Sequence, residues 1–153
     1  MKQLDSTDHQ ILHLLQHNAK YTIKEIASEM GMTTTPVYER IKRMEEDGYI
    51  RNYVALLDKH KLGLGLVVFT KVALKGHKQD QLEAFETHIR QLKEVVECYH
   101  FAGDFDYLLK IVLPNMEAYQ QFIMNQMSGL ANLIKLQSSF VMSQVKCATQ
   151  LNF

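Results

Sequence analysis

The spacing of apolar residues changes period after Ile50, from helical to alternating, and this change sets the fold class before any single residue is considered. In "LDSTDHQILHLLQHN", Leu4, Ile11, Leu12 and Leu15 recur at helical spacing, and Asp5 or Ser6 can cap the start. In "TIKEIASEMG", Thr22 and Glu25 form a T-x-x-E capping box, while Ile26, Ala27 and Met30 supply an apolar face. Gly31 is a natural left-handed stop. A third helix is predicted from Thr33 to about Asp47, with Val37, Ile41 and Met44 as its inner stripe and Gly48 at its end. Pro36 falls in the first turn, where N–H groups have no intrahelical partner.

Beyond Ile50, "IRNYVALLD" reads as a short strand and "DKHKLGLG" as a connector. "LVVFTKVALK" is β-branched and partly alternating, which predicts a strand. "QDQLEAFETHIRQL" places Leu82, Phe85, Ile89 and Leu92 on one helical face. "EVVECYHFA" and "FDYLLKIVL" predict two strands with a minimal connection, "NMEAYQQFIMNQM" a helix, and "IKLQSSFVMSQVK" a last strand. The order β-α-β-β-α-β is the ferredoxin-like arrangement. The fold class is therefore α+β: a helix-turn-helix (winged-helix-like) unit followed by a ferredoxin-like βαββαβ domain.

Composition narrows the function classes. No apolar run approaches the ~18 residues of a membrane-spanning helix, and "MKQLDSTDHQ" lacks the apolar region of a secretory signal. Cys98 and Cys147 belong to no paired or metal-ligand spacing and read as reduced core thiols of a cytoplasmic protein. Formal net charge is zero, so nucleic-acid binding has to rest on local geometry rather than on an overall basic field.

That local geometry is present in the helical third. Ala27 allows close helix packing, Gly31 supplies a tight turn and Val37 locks the crossing, as a helix-turn-helix requires. The face of the third helix opposite Val37, Ile41 and Met44 presents Thr35, Glu39, Lys42 and Arg43, with Tyr38 and Arg40 on its flanks. Thr33, Thr34 and Thr35 place hydroxyls at the helix start, where phosphate can be gripped. The competing reading is a solvated three-helix bundle with Glu39 and Arg43 as a surface pair. With so few cations, one such unit binds DNA weakly and needs linked copies.

The stretch "CYHFAGDFDYLLKIVL" gathers His100, Asp104 and Asp106 around Gly103. It admits a catalytic or metal site, a hairpin turn, or a pocket for a small charged ligand. Gly103-Asp104 is turn chemistry, and no second cluster completes a metal site. No nucleophile elbow or phosphate-cradling glycine loop is present, so no catalytic residue is assigned. His9, His13 and His17 recur along the first helix as an exposed polar stripe. Met116, Met124, Met127 and Met142 read as gap-filling core or interface.

Three segments, "TPVYERIKRMEEDGYI", the Y-x-A-x-x-D set Tyr53, Ala55 and Asp58, and "GDFDYLLK", together resemble the Lrp/AsnC (feast/famine) family of transcription regulators over nearly the whole chain. The resemblance implies a DNA-binding domain at 1–50, a hinge strand and linker at 51–64, and a RAM effector-binding and oligomerisation domain at 65–153. It implies that the recognition helix is the one containing Arg40, Lys42 and Arg43, to which the helix geometry adds Thr33, Thr34, Thr35 and Tyr38 as DNA-contacting candidates, and it implies an effector site at His100, Gly103, Asp104, Asp106 and Ser128. It implies further double-stranded DNA as partner, homodimers assembling into an octamer, and no cofactor beyond an amino-acid effector such as leucine, methionine or another small amino acid. For a zwitterionic ligand, Asp106 is expected to take the ammonium, and the Gly103 and Asp104 backbone N–H groups the carboxylate. The alternative from another class is a ferredoxin-like metabolite-binding or enzymatic domain joined to a helical protein-interaction unit.

Overall fold

The computed structural model describes residues 3–130 and 132–153, which form two compact units. The first comprises the chain up to Leu56 together with Lys146–Phe153; the second is Leu57–Val145. The C-terminal segment, assigned from sequence to the second domain, thus groups with the helical unit.

In the helical unit, α1 spans Ser6–His17, α2 Ile23–Glu29 and α3 Thr34–Glu46. Asp5 caps α1 and forms a reciprocal capping box with Asp8, and Thr22 does the same with Glu25 for α2. Gly31 (φ +64°) ends α2 in a two-bond left-handed cap: its own N–H donates to the Ser28 carbonyl, and the Met32 N–H to that of Ala27. This turn aims α3, whose buried Val37, Ile41 and Met44 join Ile11, Ile26 and Ala27 in one core. The C-terminal segment lies on α1: the Gln16 side-chain amide bonds both the N–H and the carbonyl of Leu151, and the His9 ring meets Phe153 edge-on. His9, His13 and His17 are exposed, as the stripe reading expects.

The second unit contains β1 (Leu66–Leu74), α4 (Gln79–Gln91), β2 (Val95–His100), β3 (Tyr107–Leu113), α5 (Met116–Phe122) extended by a π-helical turn over Ile123–Met127, and β4 (Leu133–Phe140). The strands form a four-stranded antiparallel sheet in the order β2-β3-β1-β4. Alternation buries Val68, Val72 and Leu74 of β1 and Tyr107, Leu109, Ile111 and Leu113 of β3 against Phe85 and Ile89 of α4 and Phe122 of α5. The buried Thr70 hydroxyl is satisfied by Ser138, which also accepts from Tyr119.

Three sequence expectations are corrected here. Residues 51–58 form no strand, because no described strand offers them a ladder; Val54, Leu56 and Leu57 stand exposed. The last strand ends at Phe140 instead of continuing to Lys146: β1 begins at Leu66, and its ladder is exhausted once Val141 N–H reaches the Val67 carbonyl. Cys98 and Cys147 are exposed, not core, since Cys98 lies on an edge strand and Cys147 in the C-terminal segment. Of the four methionines read as core or interface, Met127 is buried in the core and Met116, Met124 and Met142 are exposed.

Candidate functional sites

Helix α3 divides its polar residues into two groups. Thr33 is the N-cap residue yet makes no side-chain cap bond, so its hydroxyl stays available beside those of Thr34 and Thr35, all exposed. Tyr38, Glu39 and Lys42 continue this exposed face, and Lys42 pairs only loosely with Glu46, at 3.8 Å. The second group is committed inward. Arg40 Nη1 donates to Asp5 and to Asp8, each at 2.7 Å, and Arg43 Nη2 donates to Asp8 at 2.6 Å. Asp8 is 1% exposed, whereas the two arginines are 26% and 28% exposed. The Glu39–Arg43 surface pair of the competing bundle reading is therefore not made, Arg43 being held by Asp8. The Arg40 hydrogen bond is the main cause that holds the Asp5 carboxyl down at about 2. These bonds tie α3 to the start of α1, so the two guanidinium groups position the exposed face of α3.

The second cluster surrounds the loop between β2 and β3. Gly103 (φ +151°) and Asp104 are exposed within it. Asp106 is buried: its Oδ2 accepts the Leu74 N–H at 2.6 Å and its Oδ1 lies 2.7 Å from His77 Nε2. Its backbone continues the staple, its N–H donating to Val72 and its carbonyl accepting from Phe101. Burial would raise the Asp106 pKa, but the Leu74 and His77 hydrogen bonds outweigh it and hold the group below its ordinary value. Asp106, expected to be free for an ammonium, has both oxygens engaged inside its own domain. Asp104, two residues away, keeps its carboxylate in solvent.

The His100 ring stacks on Tyr107 at 4.7 Å, and the Tyr107 hydroxyl donates to Glu86 at 3.1 Å. His100 is thus held at the edge of the loop through Tyr107. Ser128, at the end of the π-helical turn, donates to the Met124 carbonyl and so has a local partner. Sequence reading missed His77, which sits in the β1–α4 connection with no spacing relation to the loop it meets.

Residues 67–151 match the Lrp/AsnC ligand binding domain, and residues 4–51 match a winged helix-turn-helix DNA-binding unit. This chain belongs to the Lrp/AsnC family. It is 36% identical over 150 residues to the leucine-responsive regulatory protein of Escherichia coli strain K12, covering 98% of this chain and 92% of that protein. Among solved structures, a transcriptional regulator–L-Met complex from Neisseria meningitidis superposes with a TM-score of 0.93 at 33% identity, covering 98% of this chain and 97% of the other. An AsnC family transcriptional regulator from Agrobacterium tumefaciens gives 0.92 at 36% identity, covering 97% of both chains. This Lrp/AsnC protein is therefore a DNA-binding transcriptional regulator with a ligand-binding domain, not an enzyme. None of its described helices is long and apolar enough to cross a membrane.

Proposed function

We propose that this regulator reads duplex DNA with the exposed face of α3 and adjusts its assembly or DNA affinity to a small apolar amino acid held at the Gly103–Asp106 loop. The DNA reading rests on one observation: Thr33, Thr34, Thr35, Tyr38 and Lys42 share an exposed helix face, whereas Arg40 and Arg43 are bound to aspartates. The threonine hydroxyls and helix N-terminus suit phosphate, and Tyr38 and Lys42 extend toward base edges or the backbone. Lys42→Ala is expected to weaken operator binding at every salt concentration and to reduce the slope of log affinity against log salt by about 1. Thermal stability should stay within about 0.5 kcal/mol of wild type, as for an exposed substitution. Mobility shifts across a salt series read both, and an unchanged slope would remove Lys42 from the phosphate contacts.

The effector class is supported by the L-Met complex of the Neisseria relative. In this chain the exposed Asp104 replaces Asp106 as the group for the ammonium, with His100 beside it and the Gly103 backbone open to the ligand. Leucine and methionine head the candidates, and thermal-shift screening against the proteinogenic amino acids tests the class.

A homodimer, assembling further into an octamer, supplies the linked reading heads that a weak single unit needs. The sheet face away from the core carries the partly exposed apolar residues Phe69, Leu108 and Val112, which a second copy would cover. The unpaired segment 51–58 likewise gains a ladder only from another chain. Light scattering tests the size. A cytoplasmic location follows for a protein whose target is the chromosome.

A further inference from the structure

Helix α3 is held on both sides of its exposed face. One flank carries Arg40 and Arg43, bound to Asp5 and Asp8. On the other flank Tyr38, Lys42 and Glu45 recur at i, i+4 and i+7, which makes them one stripe along the helix. All three are exposed. The stripe therefore ends in an anion, on a surface that has to meet phosphate. Beyond the helix the chain turns at Gly48 (φ +79°), and the Ile50 N–H donates back to the Met44 carbonyl. Tyr53 then lies beside the last turn of α3, where its hydroxyl donates to Glu45 Oε1 at 2.9 Å. Partial burial, and after it Glu45, push the Tyr53 hydroxyl up to about 12, so it keeps its proton at neutral pH. Among the described residues no cation lies within ion-pair distance of Glu45.

A carboxylate three residues along a helix from a lysine is a ready counter-ion for it. Left alone, Glu45 would close on Lys42 and occupy the one lysine of α3. Lys42 already has a loose tie to Glu46 at 3.8 Å, and a second carboxylate would hold it further from phosphate. Tyr53 engages Glu45 with an uncharged donor, which fixes the anion without using up a cation. We infer that the Tyr53 hydroxyl keeps Lys42 free for the DNA backbone by holding Glu45 away from it. Tyr53 is then a positioning residue for DNA binding, acting through Glu45. The inference rests on Lys42 contacting phosphate and extends that contact to the residue that governs it. The bond runs between two side chains and uses no backbone group of 51–58, so it does not compete with pairing of that segment to a second copy.

The test measures affinity across a salt series for a duplex that the wild-type protein enriches from a random-sequence pool. Wild type is compared with Tyr53→Phe, Glu45→Gln, Lys42→Ala and the double variants Tyr53→Phe/Glu45→Gln and Tyr53→Phe/Lys42→Ala. All are full chains, each sized by light scattering. Tyr53→Phe should weaken binding about two- to fivefold, the scale of one exposed charge pair. Adding Glu45→Gln should restore wild-type affinity, whereas a hydroxyl that only braced the fold would leave the loss in place. In the Lys42→Ala background, Tyr53→Phe should cost nothing more. A Tyr53→Phe protein that binds like wild type, while Lys42→Ala binds weakly, overturns the inference and leaves the phosphate contact standing. Unchanged affinity and salt slope in Lys42→Ala remove the phosphate contact and the inference with it. A Tyr53→Phe loss that Glu45→Gln fails to restore, or that comes with a change in oligomeric size, makes Tyr53 a fold or subunit contact and overturns the inference too.

Discussion

Asp8→Ala is expected to destabilise the helical unit by about 2–3 kcal/mol. Removing one partner of a buried ion pair costs about 3–5 kcal/mol when the remaining charge stays buried. Here the remaining charges are Arg40 and Arg43, each roughly one-quarter exposed, so they rehydrate in part and the cost falls below that range. The α1 capping box loses one of its two bonds as well. For a unit of this size the drop corresponds to roughly 10–20 °C in Tm, readable by calorimetry. A Tm that hardly moves would mean that the Asp8 network carries little stability. The triple replacement Asp8→Leu, Arg40→Met, Arg43→Met separates architecture from recognition, because swapping a buried ionic cluster for apolar groups is often neutral or stabilising. If the triple variant folds and still binds operator, Arg40 and Arg43 act by positioning α3. If it folds and fails to bind, they touch DNA.

Asp106→Ala should cost the sheet domain about 2–3 kcal/mol and abolish the thermal response to effector. The Leu74 N–H would be left buried without an acceptor, at about 1–3 kcal/mol, and the charge-assisted contact to His77 would be lost. With Asp106 gone, the loop loses its bond to the end of β1, so Gly103 and Asp104 are no longer held in place. His77→Ala should do far less, within about 0.5–1 kcal/mol, because its side chain is 68% exposed. An equal loss from the two variants would contradict the staple. The pH dependence follows from the lowered Asp106 pKa. A carboxylate bound more weakly by protons in the folded state stabilises at pH values above its ordinary 3.8, and that contribution disappears as pH falls through the lower folded value. The stability gap between wild type and Asp106→Asn should therefore shrink as pH falls below about pH 4. A gap that widens below about pH 4 would reverse the sign of the argument.

Both predictions turn on partners that sequence reading could not see, and Asp8 itself was not singled out there. Asp5 was available as a cap for α1, and Thr22 with Glu25 as a capping box, because such bonds span only three residues. Arg40 and Arg43 looked outward on a helical wheel, which knows the axis of α3 and nothing of α1. The crossing that Gly31 sets brings Asp8 beside them across more than thirty positions of chain. Likewise Asp104 and Asp106 look equivalent in "GDFDYLL". The sheet order decides between them, since only Asp106 lies beside the end of β1, where the Leu74 N–H awaits an acceptor.

The change from helical to strand period, the helix caps, the βαββαβ order and the family are all legible along the chain. Each of these depends on neighbours a few residues apart or on the order of segments. Which charges are free and which are spent follows from packing between distant segments. Tertiary packing seats Asp8 between two arginines, buries Asp106 against β1 and His77, and leaves 51–58 unpaired. A side chain's charge is written in the sequence, but whether that charge meets water, a backbone N–H or a counter-ion depends on strand register and helix crossing.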